Sequence, residues 1–293
     1  VEYLDDTVKD ADDVGRLAGL ATLATILRFP QDGLDGHRPV MAAQPSSAVA
    51  EAYRVLRTNL DFATLAVQSS PVTILVTSAQ PLEGKTTTLA NLAIALAQVG
   101  KRVVLVDADL RRPALHRQFG LSNEYGLTSL LLRPDADPTR ALQPTGIEGL
   151  SVLTSGPLPS NPAEVLAFAQ TGALIERLAA TADYVLLDSP PVLSVADATI
   201  LARRVHGVLL VAEVGRTRSE VFGRSVEALS AVGAHILGVV LNKLSARPGS
   251  YYYHYYYYYG DDGRDGHRRG RRSGGTGASS GGQHGRASCR ERV

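Results

Sequence analysis

The stretch Ala79-Gln80-Pro81-Leu82-Glu83-Gly84-Lys85-Thr86 stands between an apolar run, VTILVT, and a helical pattern, TTTLANLAIALAQVG. A glycine, a lysine and a hydroxyl residue in that order at the mouth of a helix can capture phosphate. Backbone N–H groups from Ala79 to Thr87 would cradle the oxygens, Lys85 would neutralise β/γ charge, and the Thr86 hydroxyl would take Mg²⁺. The pattern is complete except for Ala79 in place of its first glycine. Three carboxylates belong to the same chemistry. Asp107 and Asp109 end the run RVVLVDAD, and Asp188 ends YVLLD. Carboxyl ends of strands in an open α/β sheet face the ligand crevice, so all three are expected to converge on the metal and the terminal phosphate. Mg²⁺ needs only one or two carboxylates, which leaves another to orient or deprotonate a nucleophile.

A nucleophile is supplied in quantity. Eight of the twelve tyrosines are Tyr251, Tyr252, Tyr253, Tyr255, Tyr256, Tyr257, Tyr258 and Tyr259, interrupted only by His254. Consecutive aromatics follow neither the helix period nor strand alternation, so they cannot all face one interior. A phosphate-binding engine joined to a string of phenols makes the string the expected acceptor. The histidines have no metal-ligand spacing, and no nucleophile elbow or Cys/His arrangement points to hydrolase chemistry.

These groups need a scaffold to hold them. Helical spacing predicts a helix over 47–66, another over 86–100, one over 162–180, and two more near 196–205 and 217–232. Between them, strands are predicted at 72–77, 102–109, 150–156, 184–191, 207–214 and 235–243. Near-continuous Val/Leu/Ile strands separated by helices predict a doubly wound, mostly parallel α/β sheet covered on both faces. The expected division is a juxtamembrane-like segment at 1–40 with one short helix, a catalytic domain at 45–245, and a tail at 246–293. The Gly/Arg/Ser-rich composition of that tail should not fold.

Overall charge is +1, but residues 260–293 hold eight arginines against four acids. The domain is therefore expected to bind no nucleic acid. The single cysteine, Cys289, excludes an intramolecular disulfide and suits a reducing compartment. The apolar stretch 17–27 is too short to cross a bilayer, and no secretion signal precedes it. Val1 as first residue, with Met41 the only methionine, reads as a piece of a longer polypeptide.

The ordered set VTSAQPLEGKTTTLANLA, VVLVDADLRRP and YVLLDSPP, with the tyrosine run, resembles the Walker A, A′ and B motifs of bacterial tyrosine autokinases. The resemblance covers roughly residues 45–259. It implies a P-loop NTPase fold of the deviant Walker, MinD/ParA-like kind, with ATP and Mg²⁺ as cofactors. Lys85, Asp107, Asp109 and Asp188 then serve catalysis, the three aspartates and Thr86 hold the metal, and the tail is phosphorylated in trans to regulate capsule or exopolysaccharide length and export. Leu82 departs from the family, which commonly has glycine there. SGPLPSNPAEVL, with Asn161 and Pro162, also looks like the family, and Asn242 would contact the adenine. Arg111 would reach a phosphate or a neighbouring subunit.

Glu51, Arg54 and Arg57 look like the family's oligomerisation motif and fall on adjacent turns of one helix. The partners so implied are further copies in a ring, with one copy's tail in its neighbour's site, and a cognate tyrosine phosphatase. The opening VEYLDDTVKDADDV is similar to the cytoplasmic exit of a transmembrane chain-length-determinant domain, which places the chain in the cytoplasm at the inner face of the plasma membrane. Two alternatives are a MinD/ParA-type ATPase switch and a non-catalytic regulator of polysaccharide export. The switch would have a lysine where this chain has Gln80, and it needs no tyrosine run.

Overall fold

The computed structural model describes residues 6–29, 38–65 and 71–245. The tyrosine run and the basic tail lie outside the described residues. In chain order the elements are α1 (Ala11–Ala18), β1 (Thr22–Leu27), α2 (Val40–Ala43), α3 (Ala48–Leu65), β2 (Val72–Ser78), α4 (Lys85–Ala97) and β3 (Val103–Asp107). There follow α5 (Leu115–Phe119), α6 (Leu127–Leu131), a 3-10 turn, β4 (Gln143–Pro144), β5 (Leu150–Leu153), α7 (Pro162–Ala167), α8 (Ala169–Ala179) and β6 (Tyr184–Asp188). The last elements are α9 (Asp197–Ala202), β7 (Gly207–Glu213), α10 (Ser219–Ala231) and β8 (Ile236–Leu244).

The strands form one sheet in the order β1-β8-β7-β2-β6-β3-β5-β4, parallel except for the short β4 against β5. Every residue of β2, β3, β6 and β7 is buried. Alternation within these strands assigns the faces. Ile74, Val76, Val103, Leu105 and Leu186 pack under α2, α3 and α4, while Leu75, Val104, Val106, Val185 and Leu187 pack against the α1, α6, α8, α9 and α10 side. Two cores on opposite faces are what near-continuous apolar strands require.

Two differences from the sequence reading have local causes. The segment 1–40 contributes the expected helix, α1, capped by Asp10 at its start and by Gly19 in the left-handed conformation at its end. It also contributes β1, a strand not foreseen, which pairs in parallel with β8 at the sheet edge. Gly238 makes this pairing possible, because a Cβ there would lie 2.6 Å from the Leu23 side chain and 2.9 Å from the Ala21 carbonyl. The boundary expected near residue 45 thus does not separate the segment from the sheet. The helix expected over 162–180 is two helices, broken at Phe168, whose ψ of 146° is extended. Arg204 collects the carbonyls freed there, donating to Leu166 O at 2.8 Å, Ala167 O at 2.6 Å and Phe168 O at 3.2 Å.

Candidate active site

The loop after β2 is built on its own side chains as much as on its backbone. Glu83, 1 % exposed, folds back so that its carboxylate accepts from the Gln80 N–H at 2.8 Å and from the Thr217 hydroxyl. Burial raises the Glu83 pKa, and Thr217 and the loop N–H groups partly offset this. Leu82 is left in the left-handed region at φ 67°, its side chain in solvent. Such a φ is uncommon for a residue with a Cβ, and Leu82 is the position where glycine was expected. Gly84, at φ 91°, has no room for a side chain: a Cβ would stand 2.1 Å from Asn242 Nδ2. Asn242 reaches the loop from β8 and donates to the Glu83 carbonyl at 2.9 Å. The Lys243 ammonium donates to the Leu82 carbonyl and, at 2.9 Å, to Glu213. Asn242 is therefore seated against the loop backbone.

The four residues expected to do chemistry are brought together at the carboxyl ends of β2, β3 and β6. Asp107 and Asp188 lie side by side in register on adjacent strands. The Lys85 ammonium donates to Asp109 Oδ2 at 2.9 Å and stands 3.6 Å from Asp188 Oδ1. Thr86 Oγ1 donates to Asp188 Oδ2 at 2.6 Å. Asp107 Oδ2 accepts two backbone N–H groups, from Ala114 and Leu115, each at 2.9 Å. Burial works against the Lys85 charge, but Asp188 and Asp109 outweigh it and hold its pKa above the ordinary value. Burial and the neighbouring Asp188 push Asp107 up to about 7, and burial also raises Asp188, against the pull of Lys85 and Thr86.

This cluster carries three carboxylates and one ammonium in a buried crevice. Asp107 Oδ1 and Asp188 Oδ1 are buried without a hydrogen-bond partner. Buried like charges short of a counter-ion call for a cation, so the residues present fit a divalent metal. Among the described residues no group of three or more His, Cys, Asp or Glu is set to hold an ion alone. Asp107, Asp109 and Asp188, expected to share the metal with Thr86, stand together at this crevice. Mg²⁺ takes one or two carboxylates and completes its shell with phosphate and water, and here the Asp188 carboxylate lies one hydrogen bond from the Thr86 hydroxyl.

The remaining expected residues are placed less centrally. Arg111 points its fork at Asp197, with Nε and Nη2 each 2.9 Å from one carboxylate oxygen. On α3, Arg54 pairs with Glu51 at 2.8 Å within the same helix and also donates to the Pro45 carbonyl. Arg57 turns toward the Ala95 carbonyl of α4 at 3.5 Å. Glu51 and Arg54 thus pair with each other while Arg57 faces α4. Sequence reasoning missed Thr217, Lys243 and Asp197, which come from a loop, a strand end and a helix start remote in the chain and follow no local spacing.

The domain model described as ParA: NUBPL iron-transfer P-loop NTPase matches residues 70–265. Tyrosine-protein kinase YwqD of Bacillus subtilis is 43% identical over 203 residues, which are 69% of this chain and 84% of YwqD. Tyrosine-protein kinase Etk of Escherichia coli is 36% identical over 208 residues, 71% of this chain, but this match spans only 28% of Etk. The solved kinase domain of Escherichia coli tyrosine kinase ETK superposes with a TM-score of 0.75 at 33% identity, covering 83% of this chain and 97% of that domain. With its phosphate loop and acidic crevice carried on the same parallel sheet, the chain belongs to the bacterial tyrosine-protein kinases, on a ParA-like P-loop NTPase domain.

Proposed function

We propose that this kinase transfers the γ-phosphoryl group of ATP to the tyrosines of its own segment 251–259, from one copy to another. The observation that carries the reading is Lys85 held between Asp109 and Asp188 at the mouth of the loop, in a chain that also bears eight clustered phenols. Mg²⁺ held by Thr86 and Asp188 would neutralise charge on the β- and γ-phosphates. The loop N–H groups and Lys85 orient the triphosphate and withdraw charge from it. The tyrosine oxygen forms its bond to γ-phosphorus as the bond to the β-bridging oxygen breaks, releasing ADP. A phenol near pKa 10 is protonated at neutral pH, so its proton passes to a carboxylate, Asp107 or Asp109. Positioning and charge neutralisation supply most of the catalysis in such a transfer.

The end of β8 sets the reach of the tyrosine segment. Four strand spacings separate β8 from β3 in the sheet, about 19 Å at the usual interval. Eight residues lead from Lys243 to Tyr251, at most roughly 28 Å when fully extended. That reach exceeds the 19 Å interval, so chain length permits a tyrosine to enter its own site as well as a neighbour's, and the mixing experiment below separates the two. Assembly through Glu51, Arg54 and Arg57 would hold a neighbour's segment close at high effective concentration. In this reading the kinase works at the inner face of the plasma membrane with a transmembrane chain-length-determinant region, in cis or in trans. A cognate phosphatase resets it, and the output is control of capsular or exopolysaccharide length.

Mixing tests the transfer. Full-length Lys85→Met protein is incubated with ATP, Mg²⁺ and a copy truncated after Pro248, which retains the site and lacks the tyrosines. Phosphotyrosine on the Lys85→Met chain is the expected result; a blank, with the wild-type chain labelling itself normally, refutes transfer between copies.

A further inference from the structure

We propose that Arg111 and Asp197 form a positioning pair that sets the orientation of Asp109. The inference rests on the assignment of Asp109 to the transfer site. Asp109 uses both carboxylate oxygens: Oδ2 accepts from Lys85 at 2.9 Å, and Oδ1 accepts from the backbone N–H groups of Arg111 at 3.3 Å and Arg112 at 3.0 Å. The plane of the carboxylate is therefore set by the turn 109–112, which lies beyond the end of β3 and has no strand neighbour to hold it. The buried Leu110 and the Asp107 bonds to the Ala114 and Leu115 N–H groups anchor its backbone, and the Arg111 side chain adds a tie to a separate element. Its guanidinium makes two parallel bonds of 2.9 Å to Asp197, a carboxylate with no solvent exposure at the first position of α9.

Two-point pairing of planar groups fixes orientation as well as distance. Asp197 lies on the chain that leaves β6 and Asp188, so the fork ties the Asp109 turn to the other acidic strand end. A surface ion pair would do none of this, because it contributes little and leaves both side chains free to move. Here one partner is wholly buried, and the other supplies one of the two N–H donors to Asp109 from its own backbone.

The test uses the full chain and measures initial rates of phosphotyrosine formation against ATP concentration, with thermal midpoints as a check on folding. Arg111→Lys keeps the charge and loses the fork. Because removing one partner strands a buried charge, the apolar pair Arg111→Met with Asp197→Leu is made as well. In both, kcat is expected to fall at least tenfold while KM for ATP stays within threefold. Adding Arg111→Lys to Asp109→Asn is expected to cost nothing further, since both act through one carboxylate. Folded variants with kcat within twofold of wild type overturn the proposal. So do additive losses with Asp109→Asn, and so does a raised KM at unchanged kcat, which marks direct contact of Arg111 with nucleotide. A fully active Asp109→Asn overturns the site assignment instead, which separates the two failures.

Discussion

Gly84 is the residue on which the phosphate loop depends most visibly. Its φ of 91° and the 2.1 Å approach of Asn242 to a would-be Cβ leave no place for alanine. Gly84→Ala combines left-handed backbone strain with displacement of Asn242 from the Glu83 carbonyl, and is expected to cost about 2–4 kcal/mol of stability. Part of that cost belongs to Asn242, so Gly84→Ala with Asn242→Ala should be less damaging than the sum of the two single changes. Urea unfolding of the four proteins measures the coupling; strict additivity would remove the contact as the reason for glycine. Leu82 shows the reverse case. It occupies a left-handed position with a side chain that has no packing role, so the strain is local and the loop keeps its shape through Glu83, Asn242 and Lys243.

Among the elements, β1 is the one whose presence depends on a single small residue elsewhere. Gly238→Val would drive a branched side chain into Leu23 and the Ala21 carbonyl, an overpacking worth about 1–3 kcal/mol. The expected result is a lower urea midpoint together with faster amide exchange in 22–27 and unchanged protection in β2 and β6; uniform loss across the sheet would count against a local origin. The strands of the central sheet were legible because their apolar runs and the intervening helical patterns are unambiguous. β1 was not, because Leu17 to Leu27 reads as one apolar stretch, and periodicity alone does not separate a short strand from helix. The break at Phe168 was hidden for a different reason: no Gly or Pro marks it, and its partner, Arg204, lies at the end of α9. Lys85, Thr86 and the three aspartates were legible from motif and strand-end position. Asp197, Thr217 and Lys243 were not, since only the folded sheet brings them to the crevice.

For the molecule as a whole, the nearly neutral charge conceals an acidic crevice and an arginine-rich C-terminal sequence. Each phosphotyrosine adds about −1.5 to −2 charge, so full modification would take the uncharged run to roughly −12 to −16 and set neighbouring copies in repulsion. Assembly and phosphorylation are then opposed, which gives the proposed cycle a physical basis. Replacing Arg54 and Arg57 with alanine should lower the mass of the unphosphorylated assembly in solution, and an unchanged mass would dismiss that helix as the interface. Phosphorylation of tyrosine at the crevice around Lys85 is the step on which this function rests. It is tested most directly by incubating wild-type and Lys85→Met chains with ATP and Mg²⁺, then mapping phosphate by mass spectrometry. Phosphate on tyrosines within 251–259 of the wild-type chain, and none on the equally folded Lys85→Met chain, is the predicted result; equal labelling of both, or phosphate released only to water, would contradict it.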